Sequence, residues 1–236
     1  MQLGGKWFVM ILVSVLIGLF GIPKFGFTAN FDQLFNEAQQ QKNPDRQIEL
    51  YTKALHAWKP TDGNAKKAKA LYFRAVAYTH KPQVDKVISD CNESIKLNPD
   101  DWEVYMTRGS ALRIKGELDK AIQDFSTAIR LNPQSADIYY WRALTYARME
   151  DADRVIDDCG KAIEINPDKW EYYVTRGTAF LKKLENEKAI EDLTAAIRLN
   201  PKSPEAYQFR GEAYEKAGQQ TKAQEDYSKA KALGLK

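Results

Sequence analysis

The sequence predicts an all-α fold, a solenoid of tandem helix-turn-helix units. Two observations predict it. The string Leu-Asn-Pro recurs as Leu97-Asn98-Pro99, Leu131-Asn132-Pro133 and Leu199-Asn200-Pro201, with Ile165-Asn166-Pro167 between them, so the prolines fall every 34 residues. A fixed period of this size marks stacked helical pairs. Each period also divides into two amphipathic segments joined by a short turn, with small residues returning at the same places.

Taking Ala68, Trp102, Ala136, Trp170 and Pro204 as position 1 gives five units, 68–101, 102–135, 136–169, 170–203 and 204–236, the last one residue short. In the second unit the pattern predicts helices over Trp102–Ile114 and Leu118–Leu131, with Lys115-Gly116-Glu117 as the turn. Asn132-Pro133 stops the second helix, because proline disfavours helical backbone in the residue before it. Position 8 is Ala75, Gly109, Ala143, Gly177 and Gly211; position 20 is Val87, Ala121, Val155, Ala189 and Ala223; position 27 is Ser94, Ala128, Ala162, Ala196 and Ala230. Small residues are required where helices cross closely. Tyr105, Tyr139, Tyr173 and Tyr207 at position 4, and Phe125, Leu193 and Tyr227 at position 24, fill the spaces between.

On these residues the chain resembles the tetratricopeptide repeat family. The period, Gly or Ala at position 8, Ala at 20 and 27, and Pro at 32 all match, across 169 of 236 residues. The resemblance implies a right-handed superhelix. Residues 30–67 read as a divergent further unit, with helices over Phe31–Gln41 and Pro44–Trp58, Tyr51 and Ala54 at positions 24 and 27, and Thr61–Lys67 as a short insertion around an Asp62-Gly63 turn.

One departure from the family pattern is systematic. Position 7, leucine in the family, is Arg74, Arg108, Arg142, Arg176 and Arg210, while position 23 is Asp90, Asp124, Asp158, Asp192 and Asp226. In the divergent unit the same positions are Leu34 and Leu50. The charges come together or not at all, which predicts that positions 7 and 23 touch, within a unit or between units. Pairing compensates each charge. The alternative, arginines lining an anion site, is weakened by the matched aspartates, which would cancel their field.

Composition narrows the function. The chain has 35 Lys plus Arg against 32 Asp plus Glu, a net charge of +3, without the basic excess of a nucleic-acid protein. At 44% hydrophobic it is not a disordered chain. The two cysteines, Cys91 and Cys159, share position 24 two units apart. That separation is roughly 20 Å, beyond the ~7 Å reach of a disulfide, which makes them small buried apolar residues. His56 and His80 lie in different units without a carboxylate or cysteine cluster, so no catalytic or metal constellation is predicted and no cofactor. Asn92-Glu93-Ser94 matches a glycosylation sequon but falls mid-helix.

The first 29 residues stand apart. Lys6 precedes an apolar run from Trp7 to Phe20, fourteen residues, extendable to sixteen at Ile22. A spanning helix needs ~20 residues, so the run fits a secretory signal cleaved near Ala29. Phe27 and Lys24 fit that reading imperfectly, and an uncleaved anchor over 7–22 or a buried core segment are its rivals. Signal and anchor both predict export of the repeats from the cytoplasm, either periplasmic or secreted, or membrane-anchored. At the other end, position 21 changes from Ile88, Ile122, Ile156 and Ile190 to Gln224, and position 28 from Ile95, Ile129, Ile163 and Ile197 to Lys231. These polar residues mark 204–236 as a capping unit, the expected end of the array.

The family resemblance implies that the first helices line a concave groove through positions 2, 5, 9, 12 and 13. The candidate partner-binding residues are Tyr72, Met106, Tyr140, Leu144, Val174 and Thr178 on the floor, Glu103, Asp137 and Glu171 on one edge, and Arg113, Arg148 and Lys182 on the other. Lys at position 5 and Asn at position 9, the pair that grips the acidic tails of cytosolic chaperones in this family, occur in no unit. The expected function is therefore a non-enzymatic interaction scaffold at an envelope or membrane complex. Its partner would be a peptide or helix of another protein. A structural subunit that oligomerises through its edges is the alternative.

Overall fold

The computed structural model describes residues 29–235. The reading of residues 1–28 as signal or anchor lies outside the described residues. Among the described residues there are twelve α-helices in six consecutive pairs. They are α1 Phe31–Gln40, α2 Pro44–Ala57, α3 Asn64–Thr79, α4 Val84–Leu97, α5 Trp102–Lys115, α6 Leu118–Leu131, α7 Ala136–Arg148, α8 Ala152–Ile165, α9 Trp170–Lys182, α10 Asn186–Leu199, α11 Pro204–Lys216 and α12 Gln220–Ala232.

The Leu-Asn-Pro string ends the second helices as its chemistry requires. Leu97, Leu131 and Leu199 are the last helical residues, and Asn98, Asn132 and Asn200 leave the helix with φ between −145° and −135°. Extended backbone is what a following proline imposes. Some starts are set by side-chain caps. Asn30 accepts from the Gln33 amide in a capping box, Asn43 accepts from Asp45 and Arg46 ahead of Pro44, and Ser203 accepts from Ala206 ahead of Pro204.

The expected insertion at Thr61–Lys67 differs. Pro60–Asp62 forms one 3-10 turn, Gly63 turns the chain at φ +86°, and α3 begins at Asn64, so Asn64–Lys67 is its first turn. The Trp58 indole donates to the Gly63 carbonyl and Lys67 lies over the Trp58 ring at 5.0 Å. These contacts fix the turn one helical step earlier than the repeat pattern suggests.

Packing runs pair by pair. Each helix packs on the next in sequence, and the first helices of successive units also meet, α3 with α5, α5 with α7, α7 with α9 and α9 with α11. Elements that approach across a whole unit lie on the inside of a curved stack, so the first helices line the concave face. The core is a chain of small clusters rather than one mass, as expected when each repeat touches only its neighbours.

Positions 8 and 24 meet in the centre of each pair. A Cβ on Gly109 would sit 3.0 Å from Phe125, one on Gly177 2.9 Å from Leu193, and one on Gly211 2.7 Å from Tyr227. Where position 8 is alanine, at Ala75 and Ala143, position 24 is Cys91 or Cys159, and these pairs share a cluster. Both cysteines are free and fully buried, and burial pushes their thiols up to about 12. A thiol so raised is not a nucleophile at neutral pH.

Each position-7 arginine pairs with the position-23 aspartate of its own unit. Arg108 Nε donates to Asp124 Oδ2 at 2.8 Å and its Nη2 to Oδ1 at 2.7 Å. The same two-pronged geometry joins Arg74 to Asp90, Arg142 to Asp158, Arg176 to Asp192 and Arg210 to Asp226. The aspartates are buried and the arginines mostly so. Two parallel charge-assisted bonds compensate both ions at that depth. In the divergent unit Leu34 packs against the cluster containing Leu50, an apolar pair in place of the ionic one.

The arginines also do something the sequence did not announce. Their free Nη1 reaches back to position 25 of the preceding unit: Arg74 to Thr52, Arg108 to Asn92, Arg142 to Ser126 and Arg210 to Thr194. Each guanidinium thus ties three helices and two units. The exception is Arg176, which faces Gly160 and makes only its Asp192 bonds.

Candidate functional site: the concave face

The first helices place alternate turns of the same face toward the groove, so positions 5 and 9 of successive units line up. Between α3 and α5, bounded by the Lys81-Pro82 turn and the start of α4 and reaching Trp141 of α7, this face opens into a cavity of about 510 Å³, walled mostly by apolar groups. Tyr72 and Met106 of the predicted floor line it, together with Val76, Ser110, Ile114 and Trp141. Trp141 and Ile114 were not among the candidates. The available signal was that position 6 (Phe73, Thr107, Trp141, Thr175, Phe209) is large or β-branched beside every position 5. Ile114 is 64% exposed, a large apolar side chain left at the cavity rim.

Beyond Trp141 the floor continues. The Tyr140 ring lies 4.8 Å from that of Tyr172, whose hydroxyl donates to Asp137 Oδ1 at 2.7 Å. Burial raises the pKa of both phenols, and for Tyr172 the Asp137 hydrogen bond adds to it, so both stay neutral donors. Asp137 is therefore partly engaged in holding α9 against α7. Leu144 and Val174 are half-buried, and Val174 packs on the cluster around Leu181. Thr178 and Lys182 line two smaller recesses, one toward α7 and α8 and one toward α11.

The two edges sit at opposite ends of the first helices. Glu103, Asp137 and Glu171 occupy the first turns, and Arg113, Arg148 and Lys182 the last. This distribution suits the helix macrodipole whether or not a ligand binds. Two groups on these edges are not satisfied by that account. Glu171 Oε2 and Arg113 Nε are buried without a hydrogen-bond partner. Arg113 stands over the Trp141 ring at 5.1 Å, and Arg148 Nη1 donates to the Arg113 carbonyl. Burial, then the Arg148 charge, lowers the pKa of the Arg113 guanidinium.

A second cavity of about 390 Å³ lies beside α6, walled by Ile88, Arg108, Lys120 and Asp124. It is more polar and is bounded by a structural ion pair. Among the described residues no group of His, Cys, Asp or Glu is arranged to hold a metal ion, and no helix is long and apolar enough to cross a membrane. His56 and His80 are both exposed.

Stacked helical pairs with a ligand-sized recess on the inner face define an α-solenoid of the helical-repeat class. The kind of repeat follows from direct comparison. The family model described as TPR repeat matches residues 109–150 and 185–218, and the one described as tetratricopeptide repeat matches 136–169 and 204–233. These stretches of the chain are tetratricopeptide repeats. No curated protein sequence matches it. Among solved structures, a MamA protein superposes with a TM-score of 0.67 at 24% identity, covering 71% of this chain and 92% of its own. MamA from Desulfovibrio magneticus RS-1 gives 0.67 at 19% identity, over 71% and 94%. YrrB, described as a TPR protein with an unusual peptide-binding site, gives 0.67 at 18% identity, over 79% and 93%. At these identities the likeness is one of fold.

Proposed function

We propose that this protein is a non-enzymatic scaffold that holds a peptide segment or helix of a partner protein on its concave face. The apolar cavity of about 510 Å³ that touches three successive first helices carries the reading. A recess of that size on an exposed face, with Ile114 open to solvent at its rim and Trp141 at one end beneath Arg113, is a site for a side chain supplied from outside. The structural likeness to a peptide-binding repeat protein supports the reading at the level of fold.

We further propose that the repeats work outside the cytoplasm, in a complex at the cell envelope or a membrane, with residues 1–29 as export signal or anchor. The apolar run after Lys6 supports this. N-terminal sequencing of the protein from fractionated cells checks it: a chain starting near residue 30 outside the cytoplasm supports a cleaved signal, and an intact Met1 in the membrane fraction supports an anchor. An intact chain in the cytoplasmic fraction contradicts export.

The groove is tested by selecting displayed random peptides on the immobilised protein and measuring the best binder against Tyr140→Ala/Arg148→Glu. The variant should lose at least about ten-fold in affinity while its helical circular dichroism is unchanged. Equal affinity contradicts the groove.

One observation favours a second reading, self-association through an edge. Ile114, Met149 and Leu184, at or beside the turns of three successive units, are large apolar residues 64%, 42% and 72% exposed. Light scattering decides it, since a monomer at high concentration removes that reading.

A further inference from the structure

Arg113 and Arg148 are the two arginines of the concave face, and they are treated differently from the five that build the array. Those five are each held by an aspartate. Arg113 and Arg148 converge, one donating to the other's carbonyl, yet neither makes an ion pair among the described residues. Two cations brought together without a carboxylate raise each other's cost. The lowered pKa of Arg113 is that cost, from burial first and Arg148 second. The Trp141 ring under Arg113 holds its planar group ready rather than letting it swing into solvent. Its Nε is shut off without a partner within the chain, while the side chain as a whole stays partly exposed, so the guanidinium is left short of an acceptor and within reach of one from outside.

The residue after Arg113 is Ile114, at the rim of the apolar cavity, and Trp141 is shared by both features. We propose that Arg113 and Arg148 form a carboxylate-binding pair, and that with the adjoining cavity they recognise an internal acidic segment of a partner protein, one Asp or Glu side chain on the arginines and one large apolar side chain in the cavity. This rests on the groove reading above and specifies its ligand. The carboxylate belongs to a side chain and not to a chain terminus, because the floor continues past the arginines on both sides, to Tyr72 in one direction and Val174 in the other. The chain's own residues 1–29, apolar as they are, contain no Asp or Glu and do not answer the arginines. A neutral apolar helix would cover half-buried Arg113 and exposed Arg148 without pairing either, at the cost of their hydration and with no charge-assisted bond in return.

The test uses peptides blocked by acetylation and amidation, with one Leu and one Glu in a Ser/Gly background at separations from one to four residues. Each has a twin with Gln for Glu, and a third set replaces Glu by Gln but ends in a free carboxylate. Binding is read by fluorescence anisotropy at low salt. The best Glu peptide should bind about ten-fold or more tightly than its Gln twin, the size of a hydrogen bond to a charged group. Arg113→Gln/Arg148→Gln should bring the two twins together by weakening the Glu peptide alone, with no fall in thermal midpoint. Ile114→Lys, which blocks the cavity, should weaken both twins. Equal binding of the twins to the native protein overturns the arginine pair and leaves the groove standing. A preference shown only by the free-carboxylate set overturns the internal segment. If no blocked peptide binds while library-selected peptides do, this inference falls alone; if neither binds, the groove reading falls with it.

Discussion

At the scale of single residues, the repeats are held by two pairings that vary in concert along one chain. Positions 8 and 24 trade volume: glycine faces phenylalanine, leucine or tyrosine, and alanine faces cysteine. Gly109→Ala should therefore destabilise the protein by about 1 kcal/mol, the overpacking cost less the gain from removing a helix glycine. In a Phe125→Cys background the same change should be neutral or stabilising. Urea midpoints of the four proteins check it, and additive effects would contradict the trade. Positions 7 and 23 trade charge for apolar packing. Asp124→Leu leaves Arg108, 22% exposed, beside an apolar partner. The expected loss is about 2–3 kcal/mol, below the range for a fully buried pair because water still reaches the guanidinium. Adding Arg108→Leu should recover most of it, since Leu34 and Leu50 already stand in this relation.

The pairing of positions 7 and 23 was legible in the sequence because both charges vanish together in one unit. The reach of each arginine into the preceding unit was not, because position 25 is Thr, Asn, Ser, Gly and Thr by turns and shows no single residue type. The volume trade was visible only as two separate patterns until the backbone brought Gly109 onto Phe125.

At the scale of elements, helix ends follow from local chemistry and turns from one backbone position. Position 15 is left-handed in four units, at Gly116 and Gly218 but also at Glu150 and Leu184, both with φ +61°. The chain closes each turn with the same bond, from the amide at position 16 to the carbonyl at position 11, as in Glu185 to Phe180. A branched apolar residue there is strained, and Leu184 is 72% exposed besides. Leu184→Gly should raise stability by about 0.5–1 kcal/mol, the strain relieved less the entropy glycine adds to the unfolded chain. A lower thermal midpoint would contradict this. Gly160 is the complementary case, a glycine inside α8 with open space toward Arg176 Nη1 at 3.7 Å. Gly160→Ser restores both a helix former and the missing inter-unit acceptor, and should stabilise by about 1 kcal/mol. The hydrogen-bond part of the benefit should disappear in an Arg176→Leu/Asp192→Leu background, leaving only the smaller gain from removing a helix glycine. The start of α3 escaped the repeat pattern because Gly63 and the Trp58 indole, not periodicity, set it.

At the scale of the whole molecule, the period alone was enough for the class of fold, because each unit buries its apolar face only on its neighbours. The site was legible by halves. Positions 5 and 9 pointed to Tyr72, Met106 and Tyr140, but the cavity itself needs Trp141 and Ile114, which come from positions that also serve packing and turns. The charged edges were legible as charge, and only the fold shows that Asp137 accepts from the Tyr172 hydroxyl whereas Arg113 Nε has no hydrogen-bond partner among the described residues. The first helices carry this surface because curvature brings them together, and the second helices lie behind them, with the Arg–Asp pairs buried between the two layers. The most direct measurement is photo-crosslinking of a selected binding peptide to protein carrying benzoylphenylalanine either at Tyr140, on the floor between α5 and α9, or at Gln123, exposed on α6. A concave binding face predicts a crosslinked adduct from position 140 and none from 123; an adduct from 123 with none from 140 would contradict it.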